Sequence, residues 1–122
     1  MSGLLTWVAV GLLGGIGGVA RVVVGSLVTQ RTGDLFPLGT LTVNLSGAMA
    51  LGLLSGLALH GDAMLLAGTA LVGGYTTFST WMLESQRLGE RGDGRLLALN
   101  VAGSMALGLA ATALGRALGL ML

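Results

Sequence analysis

Four stretches of the chain, residues 4–28, 38–59, 63–83 and 96–120, are apolar almost throughout. Each meets the requirement of about 20 residues for crossing the hydrocarbon core of a bilayer. Charged residues make up 9% of the sequence and mean hydropathy is +0.89. A soluble domain carries about 25% charged residues, so this chain cannot build a water-facing surface. The expectation is an all-α membrane protein with four transmembrane helices, folded as a single domain over residues 1–122. The connections "TQRTGDLFP", "HGD" and "ESQRLGERGDGR" hold most of the charge and are too short to separate domains. Pro37 stands just before the second segment, where its missing N–H costs little. The N-terminal "MSGLLTWVAVGLL" lacks a basic n-region and its apolar run continues too far for a signal peptide, so it reads as a retained helix. The expected location is the cell inner membrane or plasma membrane, as a multi-pass protein.

Several function classes fall away. The chain has no cysteine, which excludes disulfides, thiolate nucleophiles and cysteine metal sites. Its six basic residues are all arginine and form no basic cluster interleaved with aromatics, so nucleic acid is not an expected partner. No serine–histidine–acid set, metal-ligand spacing or phosphate loop is visible, and an enzyme is not expected.

Shifting the sequence by 56 residues lays "VNLSGAMALGL" (43–53) on "LNVAGSMALGL" (99–109), with Asn44 on Asn100 and Gly17-Gly18 on Gly73-Gly74. This suggests a duplicated helical hairpin, although Leu, Ala and Gly matches are cheap in membrane helices. The pairs Gly11/Gly15, Gly14/Gly18, Gly52/Gly56 and Gly115/Gly119 have the small-xxx-small spacing that lets helix backbones approach closely. Four helices so packed leave little room for a pore, so a solute path calls for two copies.

Polar residues inside these segments carry the functional signal. An amide in hydrocarbon is costly unless it finds a partner or lines water. Asn44 and Asn100 both lie within apolar segments, with Ser46 and Ser104 nearby. They serve either interhelical hydrogen bonding or a polar path. The stretch "GGYTTFSTW" (73–81) adds two glycines, three threonines, a serine and three aromatics to the third segment. Glycine weakens a helix, and threonine and serine offer its backbone alternative bonds, so the third helix is expected to break near Gly73–Phe78. A break at membrane depth is tolerated where protein or a water-filled cavity satisfies the freed groups, and broken helices are common ion sites. Carbonyls bared there suit a cation; hydroxyl donors suit an anion. Aromatic rings have a positive edge, and Phe78 and Trp81, three residues apart, can edge one path; the plain alternative is packing. Arg21, deep in the first segment, either snorkels to an interface or raises the potential of a vestibule that draws in anions.

At these residues a family resemblance becomes specific. "GGYTTFSTW" closely resembles the GGxTTFSTF signature of the Fluc/CrcB fluoride channel family; "GTLTVNLSG" (39–47) resembles its second-helix motif and "GGIGGVAR" (14–21) its first-helix motif. The likeness spans essentially the whole chain. It implies an antiparallel, dual-topology homodimer of four-helix subunits with two fluoride pores at the interface, passively exporting cytoplasmic fluoride and lowering its toxicity. By position, Asn44 would be a pore amide donor, Phe78 and Trp81 the aromatic box, and Thr77, Ser79, Thr80 and Ser104 hydroxyls along a polar track. Glu84 matches an acid near one pore end. Backbone carbonyls of Gly73 and Thr76 would hold a structural sodium ion on the two-fold axis. Trp81 departs from the family pattern, which has phenylalanine there; indole is larger and adds an N–H donor.

Arg31, Arg87, Arg91 and Arg95 lie in the loops after helices one and three, whereas Arg116 alone is at the other side. Dual topology calls for a near balance, so an oppositely oriented paralogous subunit is the alternative partner. Two rival functions remain: a small four-helix drug/proton antiporter, which needs an embedded carboxylate that the first three helix interiors lack, and a passive scaffold. Fluoride efflux from liposomes separates all three.

Overall fold

The computed structural model describes residues 2–122, and every described element is helical. Helix α1 spans Gly3–Thr32 and α2 spans Leu38–Gly56. Helix α3, residues 61–75, is a composite: an α-helical turn Gly61–Met64, a π-helical stretch Leu65–Val72 and a last α-helical turn Gly73–Tyr75. After a break, α4 covers Ser79–Glu90. Helix α5, Gly94–Met121, contains a second π-helical stretch, Leu99–Gly103. Three of these helices, α1, α2 and α5, are long and apolar enough to cross a membrane. The third expected segment is divided between α3 and α4.

Local chemistry sets the helix ends. The Ser2 hydroxyl accepts from the Leu5 amide at 3.3 Å and caps α1. At the other end Gly33, with φ +77°, turns the chain where a side chain would be strained. Thus α1 runs four residues past the expected limit at residue 28. Helix α2 stops at Gly56, three residues short of the expected limit at residue 59, as the chain reverses through Ala58 at φ +60°.

Glycine builds the packing. Helices α2 and α5 lie against each other through facing glycines. A Cβ on Gly52 would stand 2.2 Å from the Thr112 carbonyl oxygen, and one on Gly115 would stand 2.1 Å from that of Met49. Gly56 and Gly119 meet in the same way one turn further on. The expected pairs Gly52/Gly56 and Gly115/Gly119 are therefore the two sides of one seam. Against α3, α1 uses Gly17, whose added Cβ would be 2.3 Å from Leu71 O. Among the described residues the Gly11/Gly15 pair packs on nothing: a Cβ at either position meets no atom within 4 Å. Apolar side chains such as Leu12, Ile16, Val19 and Val23 are exposed along α1, as a lipid-facing surface requires. The buried apolar core is correspondingly small: among the described residues Val43, Ala70 and Leu88 are the buried hydrophobic side chains.

The glycine pair of the third segment departs from expectation. Gly73 and Gly74 are helical, and the chain leaves the helix at Thr76, whose φ and ψ are −81° and 161°. Gly74 is required for proximity rather than for breaking: its added Cβ would lie 2.4 Å from the Gly14 carbonyl oxygen, whereas one on Gly73 would meet nothing closer than 3.9 Å. Gly17-Gly18 and Gly73-Gly74, which superpose under the 56-residue shift, are thus neighbours across the α1–α3 contact.

Gly17→Ala should destabilise the protein by about 1–3 kcal/mol, because backbone atoms on both sides cannot give way. Gly11→Ala, in open space, should be close to neutral. Thermal unfolding in detergent compares them, and equal midpoints would contradict the close α1–α3 contact.

Candidate functional site

The break at Thr76–Phe78 is built by side chains that take over backbone bonds. Thr76 donates both its amide and its hydroxyl to the Val72 carbonyl, at 3.0 and 3.2 Å, closing α3. The Thr77 hydroxyl accepts from the Thr80 amide at 3.2 Å, capping α4. Asn44, reaching across from α2, clamps the peptide groups of Thr77. Its Oδ1 accepts from the Thr77 amide at 2.8 Å and its Nδ2 donates to the Thr77 carbonyl at 2.9 Å. A lost hydrogen bond here leaves a half-buried backbone group unsatisfied, at about 1–3 kcal/mol each. The amides of Thr77 and Thr80 are those an unbroken helix would direct at the carbonyls of Gly73 and Thr76. Both donate to side chains instead.

Beyond the break, Phe78 is 69% exposed and Ser79 is exposed beside it. The Phe78 and Trp81 rings meet edge to face, with centroids 5.7 Å apart and planes at 84°, the arrangement favoured by their opposed edge and face potentials. The indole nitrogen of Trp81 donates to the Asn100 carbonyl at 3.1 Å.

Six of the expected residues line two cavities. One, of about 680 Å³, is lined by Arg21, Ser26, Thr29, Thr40, Thr77 and Thr80, among others. Arg21 is half-buried there, and its Nε is buried without a hydrogen-bond partner. The other cavity, of about 290 Å³, is bordered by Asn44, Trp81, Ser104 and Thr112. The Ser104 hydroxyl is 3.5 Å from Asn100 Oδ1, a long hydrogen bond that leaves it partly free. Glu84 accepts from the Thr40 hydroxyl and lines a third cavity with Asp34, Arg87 and Arg91. Asn44 touches both the break and the smaller cavity, whereas Phe78 and Ser79 point to an exposed face.

Four neighbours escaped the sequence reading as site residues. Thr40 ties Glu84 to the larger cavity, and Thr112 lines the smaller one. Tyr75 meets Ser46 at 2.9 Å between their hydroxyls. Ser85 accepts from Asn100 Nδ2 at 2.8 Å and donates to the Trp81 carbonyl at 2.8 Å. Its place one helical turn after Trp81 was the available signal. Asn100 superposes on Asn44 in the repeat but does different work, joining α5 to α4 instead of clamping the break.

Comparison with known proteins gives the family. Residues 8–116 match the family model described as CrcB-like protein, Camphor Resistance (CrcB). A protein of Mycolicibacterium paratuberculosis named fluoride-specific ion channel FluC 2 is 56% identical over 118 residues, covering 97% of each chain. One of the same name from Mycobacterium tuberculosis is 56% identical over 110 residues, 90% of this chain and 87% of that one. Fluoride-specific ion channel FluC 1 of Symbiobacterium thermophilum is 42% identical over 121 residues, covering 94% of this chain and 98% of its own length. With the family model matched over most of its length and its motifs assembled around one helix break, this chain belongs to the CrcB family.

Proposed function

We propose that this chain is a fluoride-selective ion channel of the cell membrane, not an enzyme, and that it passively exports cytoplasmic fluoride. The observation that carries the reading is the Asn44-clamped break beside the Phe78–Trp81 pair, in a chain whose relatives are named fluoride-specific channels. Hydrogen fluoride crosses membranes uncharged and dissociates inside, trapping the anion. A negative-inside potential then expels it with about 2.3 kcal/mol per charge per 100 mV. No coupled proton or fuel is needed, and no carboxylate lies at the break. This disfavours the drug/proton antiporter.

Each side chain takes a role suited to a weakly held anion. Arg21 concentrates anions in the larger cavity without an ion-pair partner to neutralise it. The Thr77 and Thr80 hydroxyls lining that cavity, and the second N–H of Asn44 with the Ser104 hydroxyl in the smaller one, replace water ligands stepwise. Positive ring edges of Phe78 and Trp81 stabilise the ion without binding it as a full charge would. Ser79 extends the hydroxyls along the exposed face, and Glu84, held by Thr40, stands at one end of the path.

The functional unit we propose is an antiparallel homodimer with two pores. Exposure of Phe78 and Ser79 beside a broken helix favours a partner surface there, since freed polar groups at membrane depth must meet protein or water. A second copy supplies it most simply; an oppositely oriented paralogue is the alternative that the arginine distribution keeps open. A structural sodium ion is the cofactor we propose at the break. The carbonyls of Gly73 and Thr76, whose helical donors are taken by Asn44 and Thr77, would hold it, and oxygen ligands suit a hard cation. When bound, it would supply fixed positive charge that anchors the two breaks.

Proteoliposomes loaded with fluoride test this reading. Released by a potassium ionophore, they should lose fluoride rapidly, at a rate unaffected by an imposed proton gradient. Absence of fluoride loss, or loss that tracks the proton gradient, would exclude the channel.

A further inference from the structure

We infer that Trp81 is a positioning residue. Its indole N–H is committed to the Asn100 carbonyl, so the permeating anion meets only ring edge, and the fixed indole sets the angle of Phe78. This rests on the fluoride-pathway reading above and concerns the one signature position where the chain departs from its family's phenylalanine.

The strut has a rigid anchor. Asn100 is 1% exposed and Ser85 is 3% exposed. The Asn100 carbonyl receives the Ser104 amide within α5 as well as the indole N–H at 3.1 Å, using both acceptor positions. Its side-chain amide donates to Ser85 Oγ at 2.8 Å, and Ser85 Oγ donates to the Trp81 carbonyl at 2.8 Å. Trp81, Ser85 and Asn100 thus form a closed hydrogen-bonded ring that fixes both ends of the tryptophan, its backbone and its indole nitrogen. Phe78, by contrast, is 69% exposed and has Trp81 as its aromatic neighbour. The held ring is therefore the reference against which the free ring is oriented.

Two consequences follow from the bond. An unpartnered indole N–H facing an anion path would be a strong local donor, holding fluoride and slowing its release; here that donor is occupied. Phenylalanine at 81 would keep a ring edge but lose the strut, leaving both rings free to turn.

The direct test is the indole resonance of ¹⁵N-labelled protein in a Trp7→Phe background, where Trp81 is the remaining tryptophan. Through a sodium fluoride titration its N–H signal should stay in place and exchange slowly with deuterated solvent. A saturable downfield movement would mean that the ion takes the N–H, and would overturn the inference. In proteoliposomes, Trp81→Phe should lower the maximal fluoride rate about fivefold, the equivalent of one hydrogen bond of about 1 kcal/mol. The fluoride concentration at half-maximal rate should not change. An equal or faster rate would contradict the positioning role. Lack of fluoride flux in the unsubstituted protein would instead refute the fluoride reading, and the resonance test, which needs no transport, would still decide the strut.

Discussion

Phe78→Ile should abolish fluoride flux, lowering it at least about a hundredfold, while the assembled protein elutes unchanged on size exclusion. Isoleucine keeps much of the volume and all of the hydrophobicity of the side chain but has no positive edge. Because Phe78 is 69% exposed and outside the buried core, its loss removes little packing. A hundredfold fall corresponds to about 2.7 kcal/mol, more than an aromatic edge contact contributes to folding but reasonable for a site that replaces part of an anion's hydration. Fluoride electrode traces on reconstituted variant and parent supply the comparison. Flux retained within about twofold would remove the ring-edge argument altogether.

Asn44→Ala should cost both structure and flux. Two hydrogen bonds, 2.8 and 2.9 Å long, attach the Thr77 peptide groups to α2. Their removal leaves an amide and a carbonyl without partners at the break, at about 2–6 kcal/mol in total. The most direct relief for the Thr77 amide is to return to the Gly73 carbonyl and resume the helix. That would turn Phe78 away and close off the carbonyls proposed for the cation. The expected result is a melting temperature several degrees lower together with loss of fluoride transport. Thermal unfolding and liposome efflux on one preparation measure both. A variant of unchanged stability and flux would show that the clamp does not hold the break open.

How far the sequence discloses this arrangement varies by residue. Helical membrane architecture is written in segment length, because hydrocarbon thickness translates directly into residue count. The seam of Gly52, Gly56, Gly115 and Gly119 is likewise legible from spacing. Gly73-Gly74 misled because glycine has two uses. Low helix propensity suggested the break, yet Gly74 is needed for the contact with Gly14, and the break falls at Thr76, where hydroxyls compete for backbone bonds. That distinction depends on which helix lies opposite. Asn44 and Asn100 are both recognisable as amides needing partners, but their partners lie 33 and 15 residues away for the bonds to Thr77 and Ser85. Only the tertiary arrangement tells a backbone clamp from an interhelical brace. The π-helical stretches Leu65–Val72 and Leu99–Gly103 have no local signature, since their residues would serve equally in an α-helix. The indole strut was not read from the sequence: Trp81 was recognised as bringing an added N–H donor, but its acceptor, the Asn100 carbonyl, lies 19 residues away.

The most direct test of the central claim is the reversal potential of the reconstituted protein in a planar bilayer. With a tenfold sodium fluoride gradient and equal sodium chloride on both sides, the account predicts reversal at the fluoride equilibrium potential, about 59 mV in magnitude, with the sign of an anion conductance. Reversal near zero, where chloride would hold it, or at the opposite sign, as sodium would set it, would contradict a fluoride-selective pathway.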